Sequence, residues 1–148
     1  MIKAKKKYGQ NFLIDKGVIN KIIEAINPKN LDQILEIGPG LGALTSQILN
    51  KVDHIDVVEI DPDMIKILQE KLPPSKITIF PLNILEMSND AIGKYDKVIG
   101  NLPYYISSEI LLKMIKTINN QKELHFMLQK EVAERVASST HSKSYGRL

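Results

Sequence analysis

The chain is polar at its start and becomes periodic after Asp15. Val18, Ile19, Ile22, Ile23 and Ile26 then recur at spacings of one, three and four. That is the apolar stripe of an amphipathic helix, with Asp15 as its N-cap and Asn27-Pro28 as its stop. Residues 33–37 (QILEI) form a short apolar run ending at glycines, which reads as a buried strand. Residues 41–51 return to helical spacing, and 55–60 (IDVVEI) form a second strand rich in β-branched side chains. Asp61-Pro62 joins a capping acid to a proline at the first helical position, so a helix starts there. It runs to Leu72, where Pro73-Pro74 ends it. Residues 77–80 and 97–100 read as the third and fourth strands, with no helix read between them. Ser107 opens a helix through Ile110, Leu111, Met114 and Ile115; a fifth strand spans 124–128 and a last helix 131–137.

The resulting order is α-β-α-β-α-β-β-α-β-α. Near-continuous apolar strands alternating with helices predict an α/β fold, a mostly parallel sheet with helices on both faces. Such sheets bind ligands beyond the carboxyl ends of their strands. The residues directly after each strand are therefore the candidates for chemistry.

Composition narrows the options. At 148 residues and 43% hydrophobic, the chain can bury one domain-sized core. With no Cys it can form neither disulfides nor thiolate metal sites. His54, His125 and His141 are too scattered to suggest a histidine metal centre, so no metal is expected. No apolar run reaches the ~18 residues of a membrane span. The basic N-terminus leads into Tyr8, Gly9, Gln10 and Asn11 where a signal peptide would be apolar, so the expectation is a cytoplasmic protein. The net charge of +3 divides into +4 over residues 1–28, −4 over 29–100 and +3 over 101–148. Basic ends around an acidic middle suit a phosphate-facing surface beside a site that prefers a cation. Charge alone does not separate this from solvated lysines clustered by chance.

After the first strand comes Glu36-Ile37-Gly38-Pro39-Gly40-Leu41-Gly42. Alternating glycines let the backbone turn tightly and approach a ligand. The spacing is G-x-G-x-G rather than the dinucleotide pattern G-x-G-x-x-G. A pyrophosphate has no use for the carboxylate of Glu36, whereas a sulfonium or ammonium does. Glu59 ends the second strand about twenty residues on, where an acid can accept ribose hydroxyls; Asp61 competes for that role but is better placed to cap a helix. Together these residues read as an S-adenosylmethionine site, with NAD as the alternative.

Asn101-Leu102-Pro103-Tyr104 follows the fourth strand. The exocyclic N6 of adenine is a poor nucleophile because its lone pair is delocalised into the ring. Two acceptors holding its N–H groups can turn that lone pair toward a methyl donor. The Asn101 side-chain oxygen supplies one and the Leu102 carbonyl the other, since Pro103 keeps Leu102 extended and adds no N–H. Tyr104 supplies a face for an extruded base. A plain polar turn is the competing reading. The segment Gly9-Gln10-Asn11-Phe12-Leu13 after Lys3, Lys5, Lys6 and Lys7 is either a frayed basic tail or a lid, with Gln10 and Asn11 on the cofactor and Phe12 and Leu13 packed beneath.

These motifs, with Gln129-Lys130-Glu131-Val132-Ala133, occur in an order and at spacings that resemble the ribosomal RNA adenine N6,N6-dimethyltransferases, in particular the bacterial small-subunit enzymes. The resemblance covers essentially the whole chain. It implies a Rossmann-like S-adenosylmethionine-dependent methyltransferase that dimethylates two adjacent adenosines near the 3′ end of small-subunit rRNA during ribosome assembly. The partner implied is small-subunit rRNA or a 30S precursor, and at full length a monomer. By motif position, Asn11, Leu13, Gly38, Glu59, Asn83 and Asn101 contact the cofactor, beside Glu36 and Gly40 of the glycine loop. Lys3, Lys5, Lys6, Lys7 and Arg135 are expected to face the RNA backbone. Asn83 stands where the family usually has Asp, so the cofactor's adenine amino group would meet an uncharged acceptor. The family also continues for over a hundred residues. The chain is thus expected to be an N-terminal fragment, with a basic lid at 1–16 and a catalytic domain at 17–148 lacking its last strands and a helical domain. The strand at 124–128 would then have one unpaired edge, favouring self-association and weak cofactor binding. Two other functions compete: a large-subunit rRNA adenine methyltransferase of the macrolide-resistance type, and a non-catalytic ribosome-binding module. A NAD oxidoreductase leaves Asn101–Tyr104 without a role.

Overall fold

A computed structural model describes residues 5, 8, 10–117 and 122–138. Lys3, Lys6, Lys7, Gly9 and the segment 144–148 lie outside the described residues. The first helix, α1 (Lys16–Ile26), begins as the sequence predicts: the Asp15 carboxylate accepts from the Val18 N–H at 2.9 Å. It ends at Asn27 in the left-handed region, φ 45°, whose N–H reaches the Ile23 carbonyl. Beyond it come β1 (Ile34–Ile37), α2 (Ala43–Ile48), β2 (Ile55–Val58), α3 (Pro62–Lys71) and β3 (Ile77–Phe80). They are followed by α4 (Asn89–Ile92), β4 (Lys97–Asn101), α5 (Ser107–Thr117), β5 (Glu123–Met127) and α6 (Lys130–Ala137).

Two expectations need correction. The helix predicted over 41–51 is confined to six residues, because Gly42 in the left-handed region starts it late. The third and fourth strands do not follow one another directly. A 3₁₀ turn at Ile84–Glu86 and α4 lie between them, capped by Asn83 and Ser88. Parallel strands need a crossover, but three- and four-residue helical pieces are too short to show a period.

All strand pairs are parallel, in the Rossmann-like order β3-β2-β1-β4-β5. The order therefore reverses between β1 and β4. In register, Ile37 of β1 lies beside Val58 of β2 and Gly100 of β4, so the loops after these strands open side by side. Gly100 permits the contact: a Cβ there would sit 2.5 Å from the Ile37 carbonyl oxygen.

The alternating strand residues divide the core between the two faces. Ile34, Val57 and Ile99 pack with Ile19 and Ile26 of α1, Leu44 and Ile48 of α2 and Leu68 of α3. Leu35, Val58 and Val98 pack with Ile92 of α4 and Ile110 and Met114 of α5. Burying each such side chain is worth about 1.5–3 kcal/mol. The buried Lys97 joins α1 to the sheet. Its ammonium donates to the Ile26 and Asn27 carbonyls at 2.8 and 3.1 Å and pairs with Asp32 at 3.2 Å. Among the described strands β5 is an edge. Its Leu124 and Phe126, with Leu128, are half-buried against the second cluster, where Val132 of α6 joins them. Among the described residues no helix is long and apolar enough to cross a membrane.

Candidate functional site

A cleft opens over the carboxyl ends of β1, β2, β3 and β4, with about 960 Å³ of empty space including its solvent-facing mouth. Its walls are Gly38–Leu41 after β1, Glu59 and Ile60 after β2, Leu82–Ile84 after β3, and Asn101–Pro103, Tyr105 and Ile106 after β4. Tyr8 and residues 10–13 form a strap across one side. Two carboxylates, Glu36 and Glu59, line the cleft, and no basic side chain does so among the described residues. Such a lining suits a nucleoside that carries positive charge and disfavours a pyrophosphate.

Glu36 is buried at the end of β1, where its carboxylate accepts the Thr45 hydroxyl at 2.7 Å. Burial, aided by the charge of Glu59 and opposed by the Thr45 bond, pushes its pKa up to about 7. Gly38 has φ 64°, and a Cβ there would meet no protein atom within 4 Å. The space it leaves belongs to the cleft, so a ligand can approach this backbone closely.

Glu59 is almost fully enclosed. One carboxylate oxygen, Oε1, accepts from the Ile60 and Asp61 N–H groups at 2.9 Å each, and Oε2 accepts from the Gly40 N–H at 3.1 Å. Burial raises its pKa, held back by these three N–H groups. In this arrangement Glu59 ties the glycine loop to β2. It offers a ligand one open acceptor position, on Oε2, rather than one on each oxygen.

Asp61 caps α3 as the sequence predicts, accepting the Asp63 N–H at 3.0 Å. It also holds two groups of the strap, the Lys5 ammonium at 3.0 Å and the Gln10 amide at 2.8 Å. The sequence gives no sign of this connection. Phe12 packs over Gly40, its ring 3.4 Å from where a Cβ would stand, and Leu13 reaches the core beneath.

Asn83 lines the cleft, with its side-chain oxygen accepting the Leu85 N–H at 3.0 Å while Glu86 accepts the Asn83 N–H at 3.1 Å. The residue expected at the adenine amino group therefore also caps a 3₁₀ turn. At the mouth, the Asn101 amide nitrogen donates to the Asn11 carbonyl at 2.7 Å. That commits the nitrogen and leaves Oδ1 as the group presented to a ligand. The Leu102 N–H bonds the Met127 carbonyl at 3.2 Å, and no donor among the described residues reaches the Leu102 carbonyl. Tyr104 stands half exposed outside the lining, whereas Tyr105, which the sequence reading passed over, lines the cleft. The two rings meet edge to face at 6.3 Å. Of the expected RNA-facing residues, Lys5 is turned onto Asp61 and Asp63, and Arg135 is exposed in the last turn of α6.

The chain is similar to known proteins in sequence and in fold. A sequence model for "Ribosomal RNA adenine dimethylase" matches residues 1–148. The ribosomal RNA small subunit methyltransferase A of Methylobacillus flagellatus is 46% identical over 145 residues, which cover 98% of this chain and 57% of that protein. The chain thus spans little more than half the length of this relative. A dimethyladenosine transferase from Plasmodium falciparum superposes with a TM-score of 0.77 at 28% identity, over 92% of this chain and 50% of that one. The 23S rRNA methyltransferase ErmE superposes at 0.66 with 25% identity, over 84% and 50%.

Proposed function

The chain belongs to the ribosomal RNA adenine dimethylase family, and on that footing we propose that it carries the S-adenosylmethionine site and the methyl-transfer loop of an enzyme acting on small-subunit rRNA. The target is adenine N6, dimethylated at two adjacent adenosines near the 3′ end during ribosome assembly in the cytoplasm. The observation that carries this reading is the Asn101 amide, fixed through its nitrogen at the mouth of a cleft that also holds Glu36 and Glu59.

The residues present fit the cofactor. Glu59 accepts a ribose hydroxyl on Oε2. Gly38 and Gly40 give the methionine part close backbone contact, and Glu36 answers its positive charge. Asn83 accepts the adenine amino group on its remaining lone pair, and Asn11 and Leu13 close the strap side. S-adenosylmethionine bound there supplies a methyl group already activated on a sulfonium. The protein's part is then to orient the nucleophile. Asn101 Oδ1 and the Leu102 carbonyl accept the two N6–H groups, which directs the nitrogen lone pair at the methyl, and Tyr104 stacks on the base. Moving the N6 proton to solvent after transfer needs no strong base, because methylation makes that nitrogen acidic.

The small-subunit target is favoured over the large-subunit one by 46% identity to a small-subunit relative against 25% to ErmE. The test is methyl transfer by a full-length version to undermethylated small-subunit and large-subunit particles, read as N6,N6-dimethyladenosine by mass spectrometry. Modification of the small-subunit particles alone is expected. Modification of large-subunit RNA, or of neither, would overturn the proposal.

A further inference from the structure

We propose that Asp61, beyond capping α3, is the positioning residue that anchors the N-terminal strap against the cofactor cleft. This rests on the cofactor reading above. Asp61 is fully buried at the start of α3, and its carboxylate has three partners from two parts of the chain. Oδ1 accepts the Asp63 N–H and the Lys5 ammonium, both at 3.0 Å, and Oδ2 accepts the Gln10 amide at 2.8 Å. Gln10 in turn accepts the Lys5 backbone N–H at 2.8 Å, so the strap residues brace one another before meeting the acid. The strap segment that follows, Asn11 to Leu13, forms one wall of the cleft, and Asn11 holds Asn101.

A helix cap alone requires neither Lys5 nor Gln10. Burial pulls the Asp61 carboxyl upward, yet Lys5, the Asp63 N–H and Gln10 together hold it below the usual carboxylate range. The acid therefore stays charged at neutral pH and keeps both strap contacts. Its neighbour Glu59 accepts the Asp61 backbone N–H at 2.9 Å, so anchor and cofactor wall share one turn of chain. Releasing the anchor frees the strap without removing any side chain that lines the cleft, since neither Lys5 nor Asp61 does so.

The experiment compares wild type, Lys5→Met, Asp61→Asn and the double variant of this chain. Asp61→Asn keeps an oxygen for the Asp63 N–H and hence the cap. Two readouts are taken: hydrogen exchange of the amides of residues 10–14 without ligand, and the dissociation rate of S-adenosylhomocysteine. Faster exchange at 10–14 is expected in both single variants. S-adenosylhomocysteine should leave about tenfold faster from Asp61→Asn, as for loss of a hydrogen bond to a charged group. From Lys5→Met, whose ion pair is partly exposed, a factor of about two to five is expected. The double variant should be no worse than Asp61→Asn. If Asp61→Asn does not fold, Lys5→Met decides alone: 1 M salt should speed release from wild type and leave the variant unchanged. Wild-type exchange and release in the single variants would overturn the anchor. Failure of wild type itself to bind S-adenosylhomocysteine would instead refute the cofactor reading, and the exchange readout would still decide whether Asp61 holds the strap.

Discussion

Asn101 and Asn11, ninety positions apart, are joined by one hydrogen bond of 2.7 Å from the Asn101 amide nitrogen to the Asn11 carbonyl. A carbonyl can only accept, so the bond fixes which end of the Asn101 amide faces the cleft. In a full-length version, Asn101→Ala is expected to lower kcat by about 10²–10³, as when one oriented polar group is lost from a transition state. Asn101→Asp keeps an acceptor but sets a carboxylate against the Asn11 carbonyl, so it should fail similarly. Affinity for rRNA should change little in both, which separates a chemical role from a folding one. Near wild-type turnover in Asn101→Ala would contradict it.

The two tyrosines make separable predictions. Both rings are about half exposed, but of the two Tyr105 alone lines the cleft. Tyr104→Ala should weaken engagement of the target base by about 1–3 kcal/mol, the worth of one stacked base, with Tyr104→Phe close to wild type. Tyr105→Ala should raise KM for S-adenosylmethionine more than it alters RNA binding. Steady-state kinetics against both substrates distinguishes them, and equal damage from Tyr104→Phe and Tyr104→Ala would mean that the hydroxyl is what matters.

Glu59 has a double burden, since the three N–H groups it accepts belong to two loops. Glu59→Gln places an amide N–H near a backbone N–H and removes the charged acceptor. The expected loss in S-adenosylhomocysteine affinity is about 1.5–3 kcal/mol. Asp61→Ala should lower urea stability by more than the ~1 kcal/mol of a lost cap, because Lys5 and Gln10 lose their acceptor as well. A calorimetric titration and a urea melt of each variant check this; unchanged affinity in Glu59→Gln would remove Glu59 from the site.

Glu36 sets a pH dependence. Its carboxyl rises from 4.5 to about 7 in the folded protein, so between those values the native state holds more protons than the unfolded one. Stability from this group is complete below pH ~4.5 and is lost as pH rises through 7, by up to about 3 kcal/mol. Urea melts of the cofactor-free protein from pH 5 to 8 should show this decline. Glu36→Gln, which retains an acceptor for Thr45, should flatten it. The same slope in the variant would assign it to another group.

Where a signal is local, the sequence shows it. Asp15, Asp61-Pro62 and Ser107 mark helix starts within a residue or two, and β3 falls on the predicted residues. Gly38 and Gly40 of the glycine motif, Glu59 and Asn101 lie in one cleft because strand ends converge where the sheet order reverses. What was not legible depends on distant partners or very short elements. Lys5 reads as an RNA-facing cation until its carboxylate partners, 56 and 58 positions away, are seen. Tyr105 follows the motif residue directly, and only the turn after Pro103 decides which ring enters the cleft.

The most direct measurement is a calorimetric titration of this chain with S-adenosylhomocysteine and, separately, with NAD. Two buried carboxylates and the absence of basic side chains in the described lining lead to a clear outcome. S-adenosylhomocysteine should bind one to one, with affinity reduced in Glu59→Gln, and NAD should give no heat of binding. Binding of NAD with equal or greater affinity, or S-adenosylhomocysteine binding indifferent to Glu59, would contradict it.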